Sequence, residues 1–226
     1  MAEKKTLLIL RLEGALQAWG EMSKWDFRDS ADFPTKSGIV GLLGCALGLE
    51  RGDPELGELD EALTLAVRAD RPGIRTVDFQ TVTGDPLRNA EGKPKSGGNT
   101  IISRRAYLQD ACFTVFLELP EEWRSRVATA LQAPKWPIYL GRKNCVPSRP
   151  VFEAECADYT TLEEAVQRYP AAERFELPML YEIEEPSLAL GTYLRPDRRM
   201  TGGRDFALRR VWRGTVKEEH HDLDEN

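Results

Sequence analysis

The sequence predicts an α+β protein whose core has the ferredoxin-like, split β-α-β arrangement, carries an inserted β-hairpin and ends in a smaller, irregular, β-rich part. The first observation is the order of segments along residues 1–133: strand, helix, strand, strand with an insertion, strand, helix. The second is size, because 226 residues with 41% hydrophobic residues can bury a sizeable core. The third is the loss of clear periodicity after Pro134, which sets the C-terminal part apart from the core.

These observations divide the chain into three regions. Residues 1–133 form the predicted ferredoxin-like domain, with the hairpin at about 76–109, and residues 134–216 form the β-rich part. Residues 217–226 form an acidic tail that we expect to be disordered. The net charge is −6, but much of it lies in this tail, whereas residues 195–213 hold seven arginines and two aspartates. Local basic surfaces are therefore compatible with the acidic total.

The first strand is predicted at 6–12, and a helix follows it, with its start signal at Pro34 and Thr35. An interior glycine costs a helix about 1 kcal/mol relative to alanine, so a face made of glycines implies close approach to the backbone. The group that approaches the helix backbone could be a neighbouring element of the protein or a nucleic-acid phosphate at the helix N-terminus. The glycine spacing alone favours the first, packing against a sheet. The glycines that share one face of this helix are Gly38, Gly41, Gly44 and Gly48.

The rest of the first region alternates between apolar segments and turn-rich ones. A connection is predicted at 49–60, because this segment contains two glycines and a proline. The extended segments 74–82 and 100–108 flank a polar, glycine-rich stretch, so they predict a hairpin whose tip is either a solvated loop or a binding element. The remaining elements are strands at 63–68 and 112–119 and a helix from Pro120 to about Gln132.

The C-terminal part has weaker patterns. Residues 136–143 are aromatic, basic and interrupted by proline. A short helix is predicted at 161–169 and a strand at 177–184. Residues 206–216 alternate basic and apolar side chains, a pattern typical of an edge strand with one cationic face, whose arginines bind RNA or pair with the acidic tail.

Composition and motifs argue against several classes of function. The P-loop, the dinucleotide-binding motif and the nucleophile elbow are missing, and the four cysteines lack the spacing of a zinc site, so we expect no metal and no cofactor. No apolar stretch of about 18 residues and no signal-peptide pattern occur, so we expect a cytoplasmic protein without a membrane partner. Metal-free RNA cleavage usually needs histidine, and the two histidines, His220 and His221, lie in the tail. Tyr139 and Lys143 remain as possible actors, but free tyrosine and lysine side chains titrate near pH 10, far from neutral pH. We therefore expect no enzyme.

Single-stranded RNA is held by cations on its phosphates and by aromatic or arginine side chains stacked on its bases. Three clusters fit this chemistry, and the sequence leaves a structural alternative for each. Trp19 of the first cluster could lie in the core. In the second, only one of Arg104 and Arg105 would face a ligand, because neighbouring strand residues point to opposite sides, and in the third Arg142 and Lys143 could form a solvated turn. The clusters are Gln17, Trp19, Lys36, Ser37 and Gly38; Arg104, Arg105 and Tyr107; and Tyr139, Gly141, Arg142 and Lys143. Lys93 and Lys95, at the hairpin tip, are predicted contacts for RNA or a partner.

Six segments carry a resemblance to a known family: Gln17–Gly20, Phe33–Gly38, Gly41–Gly44, Arg105–Ala111, Tyr139–Cys145 and Arg209–Val211. They occur in the family's order and cover most of the chain from residue 5 to about 215. Together they resemble the CasD family, a subunit of the type I-E CRISPR surveillance complex, Cascade.

This resemblance implies a ferredoxin-like core of the RNA-recognition-motif type with a protruding hairpin, called the thumb. It implies a non-catalytic subunit that anchors the 5′ handle of the crRNA, caps the backbone filament and contacts a CasC-type backbone subunit, a CasA-type large subunit and the other Cascade subunits. Two alternatives stay open. One is a metal-independent endoribonuclease that cuts CRISPR repeat RNA, as in related type I-C systems. The other is an interaction module that binds only protein.

Overall fold

The structure is a computed structural model that describes residues 5–22, 24, 26–84, 86–88, 91–94, 100–172, 179–184, 192–199 and 206–216. Lys95 and the predicted acidic tail with its two histidines lie outside these ranges. The described strands are β1 (Leu7–Glu13), β2 (Leu16–Gln17), β3 (Phe27–Arg28), β4 (Thr64–Arg71), β5 (Ile74–Thr83), β6 (Thr100–Gln109), β7 (Cys112–Glu118), β8 (Phe152–Cys156), β9 (Leu180–Glu184), β10 (Thr192–Arg199) and β11 (Phe206–Thr215). The described helices are α1 (Lys36–Leu47), α2 (Pro54–Ala62), α3 (Glu121–Gln132) and α4 (Leu162–Arg168).

A seven-stranded antiparallel sheet forms the centre of the molecule, in the order β10-β11-β9-β4-β7-β1-β8. Side chains of β1 alternate between two cores, as the two-residue period of a strand requires. Leu8 and Leu10 pack with α1 and α3 in the larger core, whereas Leu7 and Ile9 pack with α4 on the opposite face. The protein is therefore an α+β protein with helices on both faces of one sheet.

Helix α1 begins where the sequence predicts. The Thr35 hydroxyl accepts a hydrogen bond from the Gly38 N–H, and Gly48 ends the helix with a φ of 78°. A Cβ atom on Gly38 would lie 2.9 Å from a ring carbon of Trp19, and one on Gly44 would lie 2.4 Å from Leu56 of α2. Close packing thus accounts for these two glycines, but the neighbours are a tryptophan and a helix, where the sequence favoured a sheet.

Helix α2 corrects the prediction of a connection at 49–60. Asp53 caps this helix, its side chain accepting a hydrogen bond from the Glu55 N–H, and Pro54 stands in the first turn. Proline in the first turn is favourable because the N–H that it lacks would have no partner in the helix. The two glycines of the segment masked this start signal in the sequence.

Strand β11 corrects a second prediction, because it lies between β10 and β9 and not at an edge of the sheet. The edge strand is β10, which the sequence analysis missed. Pro196 and a run of charged residues hide β10 in the sequence, and Pro196 lies at a shift in the pairing register between Arg195 and Arg198. Strands β9, β10 and β11 extend the same sheet that contains β1, β4 and β7, so strands from both sides of residue 133 hydrogen-bond together.

Strands β5 and β6 form a hairpin whose pairing runs without interruption from Ile74–Gln109 to Thr83–Thr100. The other edge of β6 pairs with the short strands β2 and β3, which makes a second sheet. We call this hairpin the arm. Most side chains of β5 are exposed, and the arm lies outside both cores except at its base, where Tyr107 and Leu108 of β6 belong to the larger core. None of the helices in the described part of the chain is long and apolar enough to cross a membrane.

Candidate nucleic-acid interface

Gln17 and Trp19, from the first predicted cluster, lie in the core. Trp19 is 1% exposed, and its indole N–H donates to Gln17 Oε1 over 3.1 Å. The Gln17 amide donates to the carbonyl oxygens of Leu12 (2.9 Å) and Ala111 (2.8 Å). The ring packs beside Gly38 of α1. These side chains therefore have structural roles, as the sequence analysis allowed for Trp19, and neither offers surface to a base.

Lys36 is also buried. Its ammonium donates to the Leu63 carbonyl oxygen over 2.7 Å and lies 3.1 Å from a carboxylate oxygen of Glu184. Its backbone N–H donates to Asp197 Oδ2 over 2.9 Å. The N-terminus of α1 is thus satisfied by Asp197 and Thr35 of the same chain, and the phosphate position considered from the sequence is occupied by a carboxylate. Half-buried Ser37 has its hydroxyl 3.5 Å from Thr35 Oγ1.

Asp197 lies in a buried ion-pair network that holds β10 and β11 against α1. Arg209 donates two hydrogen bonds to its carboxylate, at 2.8 and 2.7 Å, and Arg195 lies 3.7 Å away. Burial alone would raise the pKa of Asp197, but the hydrogen bonds and charges of these arginines and the Lys36 N–H hold it below its ordinary value. Arg213 pairs in turn with Glu182. The acidic partners of Arg209 and Arg213 are therefore in the sheet, although the sequence suggested RNA or the acidic tail.

The second and third predicted clusters meet at Arg142. Its guanidinium donates to the carbonyl oxygens of Ala106 (2.9 Å), Arg28 (3.0 Å) and Asp29 (2.8 Å). It also lies 4.7 Å from the centre of the Tyr107 ring, and Tyr107 is buried. Arg142 and Tyr107 thus fasten the loop 139–145 to β6, which is a structural function.

Gly141 gives this loop its shape. Its φ is 88°, and a Cβ atom would lie 1.7 Å from the Ala18 carbonyl oxygen. The Ala18 N–H donates to the neighbouring Leu140 carbonyl over 3.1 Å. Only glycine fits such a position, because it combines a left-handed backbone with direct contact to another backbone. Tyr139 is half-buried and Lys143 is exposed in the same loop.

The arm has two faces of different chemistry, because residues opposite each other in a β ladder point to the same side. One face, which we call the polar face, is formed by Arg28, Asp78, Gln80, Ser103 and Arg105. The other, the apolar face, is formed by Phe27, Val77, Phe79, Ile102 and Arg104. The Arg104 guanidinium lies 5.6 Å from the Phe79 ring centre, whereas Arg105 donates to Ser103 Oγ over 3.3 Å. Arg104 and Arg105 therefore lie on opposite faces of the arm, which agrees with the alternative that only one of them faces a given ligand.

The structure thus brings together one set of predicted residues at the base of the polar face. Arg105 lies in register with Arg28, and the Arg142 guanidinium donates to the Arg28 carbonyl. Lys143 is the next residue of the same loop and is exposed. The sequence analysis missed Arg28, because a two-residue strand leaves no periodic signal. Lys93, near the tip, is exposed and pairs with Glu91 at 3.3 Å, an ion pair of a kind that contributes little stability.

Two observations concern metal-binding and nucleophilic groups in the described residues. No group of three or more His, Cys, Asp or Glu residues that could hold a metal ion occurs in these ranges. Burial, with smaller contributions from nearby acidic groups, raises the pKa of the Cys112 thiol to about 11, so this cysteine is a poor nucleophile at neutral pH.

Comparison with known proteins adds to this geometry. Residues 7–217 match a family of CRISPR-associated proteins, described as CRISPR-associated protein (Cas_Cas5). The chain is 36% identical over 166 residues to the CRISPR system Cascade subunit CasD of Escherichia coli K12, covering 67% of this chain and 72% of that protein. It is similar to a chain of a CRISPR RNA-guided surveillance complex, with a TM-score of 0.78, 32% identity and coverage of 93% and 90%. A crystal structure of a Cas protein matches with a TM-score of 0.75, 32% identity and coverage of 94% and 96%.

Proposed function

Because the chain belongs to the Cas5 family of CRISPR-associated proteins, we propose that it is the Cascade subunit that anchors the 5′ handle of the crRNA. The observation that carries the proposal is the basic group at the base of the arm. Arg28 and Arg105 lie in register on one face of the arm, and the exposed Lys143 follows Arg142, whose guanidinium donates to the Arg28 carbonyl. Their charges would bind the phosphates of a single strand, which fixes its position without reading its sequence.

The proposed fold of the core is ferredoxin-like, with the arm as the thumb. What supports it is the strand order β4-β7-β1-β8, with α1 between β1 and β4 in the chain and α3 between β7 and β8. Strands β5 and β6 are inserted between β4 and β7. The arm is therefore inserted in the connection between the neighbouring strands β4 and β7. From there its outer part can hold RNA outside the packed cores.

We propose that this role is positional and that the protein cuts no RNA. The named function of the Escherichia coli relative is that of a complex subunit. In this chain the cationic groups at the base of the arm are arginine and lysine, with Asp78 opposite Arg105. Arginine and lysine side chains keep their charge near pH 7, which suits phosphate binding better than proton transfer. The proposed partners are a CasC-type backbone subunit, whose filament the protein caps, and a CasA-type large subunit, together with the other Cascade subunits.

The experiment measures binding and integrity of labelled CRISPR repeat RNA in EDTA across a salt series. We expect intact RNA whose affinity falls with salt, because the binding of each phosphate releases counterions. The Arg105→Ala/Lys143→Ala variant should bind roughly tenfold more weakly, and its salt slope should fall by about 0.7 for each phosphate that the variant no longer neutralises.

The matched control is Arg51→Ala/Lys135→Ala, which removes the same two charges from exposed positions outside the arm. An equal reduction of affinity in both variants would mean that net charge and not this surface binds the RNA. Cleavage of the RNA in EDTA would identify an endoribonuclease, and affinity that does not depend on salt would favour a module that binds only protein.

A further inference from the structure

Apart from the side of β6 that the two-residue strands β2 and β3 partly cover, the described strands leave three sheet edges that could pair with another chain, and two of these are protected. The edge strand β8 has five residues, carries Glu153 and Glu155, and shifts register against β1. The edge strand β10 contains Pro196 and another register shift. Short length, charge, proline and bulges are the features by which natural sheets prevent unwanted pairing.

The third edge, along β5, carries two charged residues, Arg75 and Asp78, but has none of the other protections. Its ten residues contain no proline and pair with β6 without a register shift. Ile74, Val77, Phe79 and Val82 are 68%, 53%, 56% and 50% exposed. Within the described ranges β5 forms its backbone ladder with β6 alone. A ten-residue edge without proline or register shifts, and with four exposed apolar side chains, is a template for a further strand.

We propose that the open edge of β5 binds an extended segment of a protein partner as an added β-strand. The inference rests on the proposed function for the assembly in which that partner occurs, namely the other protein subunits of Cascade. Alternate residues of an edge strand point their N–H and C=O groups outward, and only another polypeptide backbone matches that alternation of donors and acceptors. The chemistry of this edge therefore selects protein over RNA.

The charges on the apolar face indicate which side chains the added strand should carry. Arg75 and Arg104 stand on this face, and its in-register positions along β5 and β6 carry no carboxylate. Arg75 pairs with Asp32 at 2.6 Å, but both side chains are substantially exposed, so this pair exchanges readily with another acid. The added strand should thus place apolar side chains beside Val77 and Phe79 and an acidic side chain near these arginines. A second copy of this chain would instead bring like charges together.

Hydrogen–deuterium exchange of β5 tests the inference. The samples are the full-length protein alone, the protein with repeat RNA, and the protein co-expressed in the complex with the other Cascade subunits. We expect alternate β5 amides to exchange at least about tenfold more slowly in the complex, but not with RNA alone. Protection by RNA alone would overturn the inference, as would unchanged exchange in the complex.

Two lysine variants distinguish pairing along the edge from general contact with the apolar face. Val77→Lys lies on β5, next to the added strand, whereas Ile102→Lys lies on β6, about 9.6 Å from it, since neighbouring strands are about 4.8 Å apart. Both residues share one face and are similarly exposed. Val77→Lys should reduce protection in the complex roughly fivefold and Ile102→Lys should leave it nearly unchanged. Equal effects would overturn the inference.

The remaining outcomes separate this inference from the proposed function. A complex that assembles with β5 still exposed would overturn strand addition and leave the handle-binding function standing. A protein that neither binds repeat RNA nor joins the other subunits would overturn both. Protection of β5 that appears in the isolated protein as its concentration rises would identify a second copy as the occupant, which contradicts the proposal.

Discussion

Lys36 and Lys143 are predicted RNA contacts with opposite surroundings in the folded protein. Lys36 lies at 2% exposure against a carbonyl and a carboxylate, whereas Lys143 is exposed beside the arm. Their local sequences are alike in being polar and glycine-flanked, so sequence patterns do not separate them. What separates them is long-range packing, since Glu184 lies 148 residues from Lys36 in the chain.

Gly141 gives a prediction at the scale of one residue. Gly141→Ala should lower the free energy of unfolding by about 3 kcal/mol or more, because the new Cβ atom would overlap the Ala18 carbonyl in addition to straining the backbone. Chemical denaturation measures the change.

The control is Gly52→Ala, where φ is 97° but a Cβ atom meets nothing within 4 Å. It should cost only the backbone strain, about 1–2 kcal/mol. If both substitutions cost the same, contact with Ala18 does not constrain the loop 139–145.

Among the elements, the pair β10–β11 does most to fix the N-terminus of α1. Asp197 accepts the Lys36 N–H and binds Arg209, and all three residues are buried. This group of three residues, which we call the latch, joins α1 to β10 and β11 through the Lys36 backbone N–H and a buried Asp197–Arg209 ion pair. Removing one member of a buried pair is costly because the other remains uncompensated.

Asp197→Asn should therefore destabilise the protein by about 3 kcal/mol at pH 7. The pKa of Asp197 is below its ordinary value in the folded protein, so its contribution is fully present above the unfolded pKa of about 3.9 and is lost as the pH falls further. The difference in unfolding free energy between wild type and variant should then shrink below about pH 4. Denaturation at pH 7, 5, 4 and 3 measures it.

The exposed carboxyl of Glu50 supplies the comparison, because Glu50→Gln removes an acid outside this network. That variant should match wild type within about 0.5 kcal/mol at neutral pH. A difference for Asp197→Asn that stays constant down to pH 3 would show that the carboxylate charge is not what holds the latch.

Elements with a strong local signal are the ones that sequence reasoning predicts. The apolar run at 112–119 became β7, and the acidic first turn after Pro120 began α3, within a residue or two of prediction. Both arm strands also formed where expected. Strand β10 was missed because Pro196 and its charges argue against a strand. Pairing with β11 and the contacts of Asp197 with α1 and Arg209 stabilise it. The local sequence of β10 therefore does not predict this strand, because the residues that stabilise it lie elsewhere in the chain.

At the scale of the whole molecule, the candidate site depends on three distant segments that the fold brings to one place. Arg28, Arg105 and the loop 139–145 meet through the pairing of β3 with β6 and the bonds of Arg142. Sequence reasoning found two of these segments separately, since each contains basic and aromatic residues. It could not join them, because the groups that join them are backbone carbonyls that no side-chain pattern reveals.

The outer part of the arm should contribute little to the stability of the core. Replacing residues 80–103 with Asn-Gly would close a two-residue turn directly after the Phe79–Arg104 pair. Because the described side chains of the removed segment lie outside both cores, the free energy of unfolding should change by less than about 1 kcal/mol. Denaturation of the shortened protein measures this.

The matched comparison is a longer deletion, in which residues 76–107 are replaced by the same turn. It also removes Tyr107, which belongs to the larger core and contacts Arg142. It should destabilise the protein by about 3 kcal/mol or more. Equal destabilisation of the two shortened proteins would mean that the outer arm supports the core.

The place of β9 in the sheet has a consequence for synthesis on the ribosome. Strand β4 is an interior strand because β9 covers one side of it. Asp197 is made 161 residues after Lys36, on the order of ten seconds later at ordinary rates of translation. During that interval the apolar edge of β4 has emerged without β9, and the Lys36 N–H of α1 does not yet have its acceptor, Asp197. The unfinished chain is therefore most exposed to aggregation just before its last strands are made.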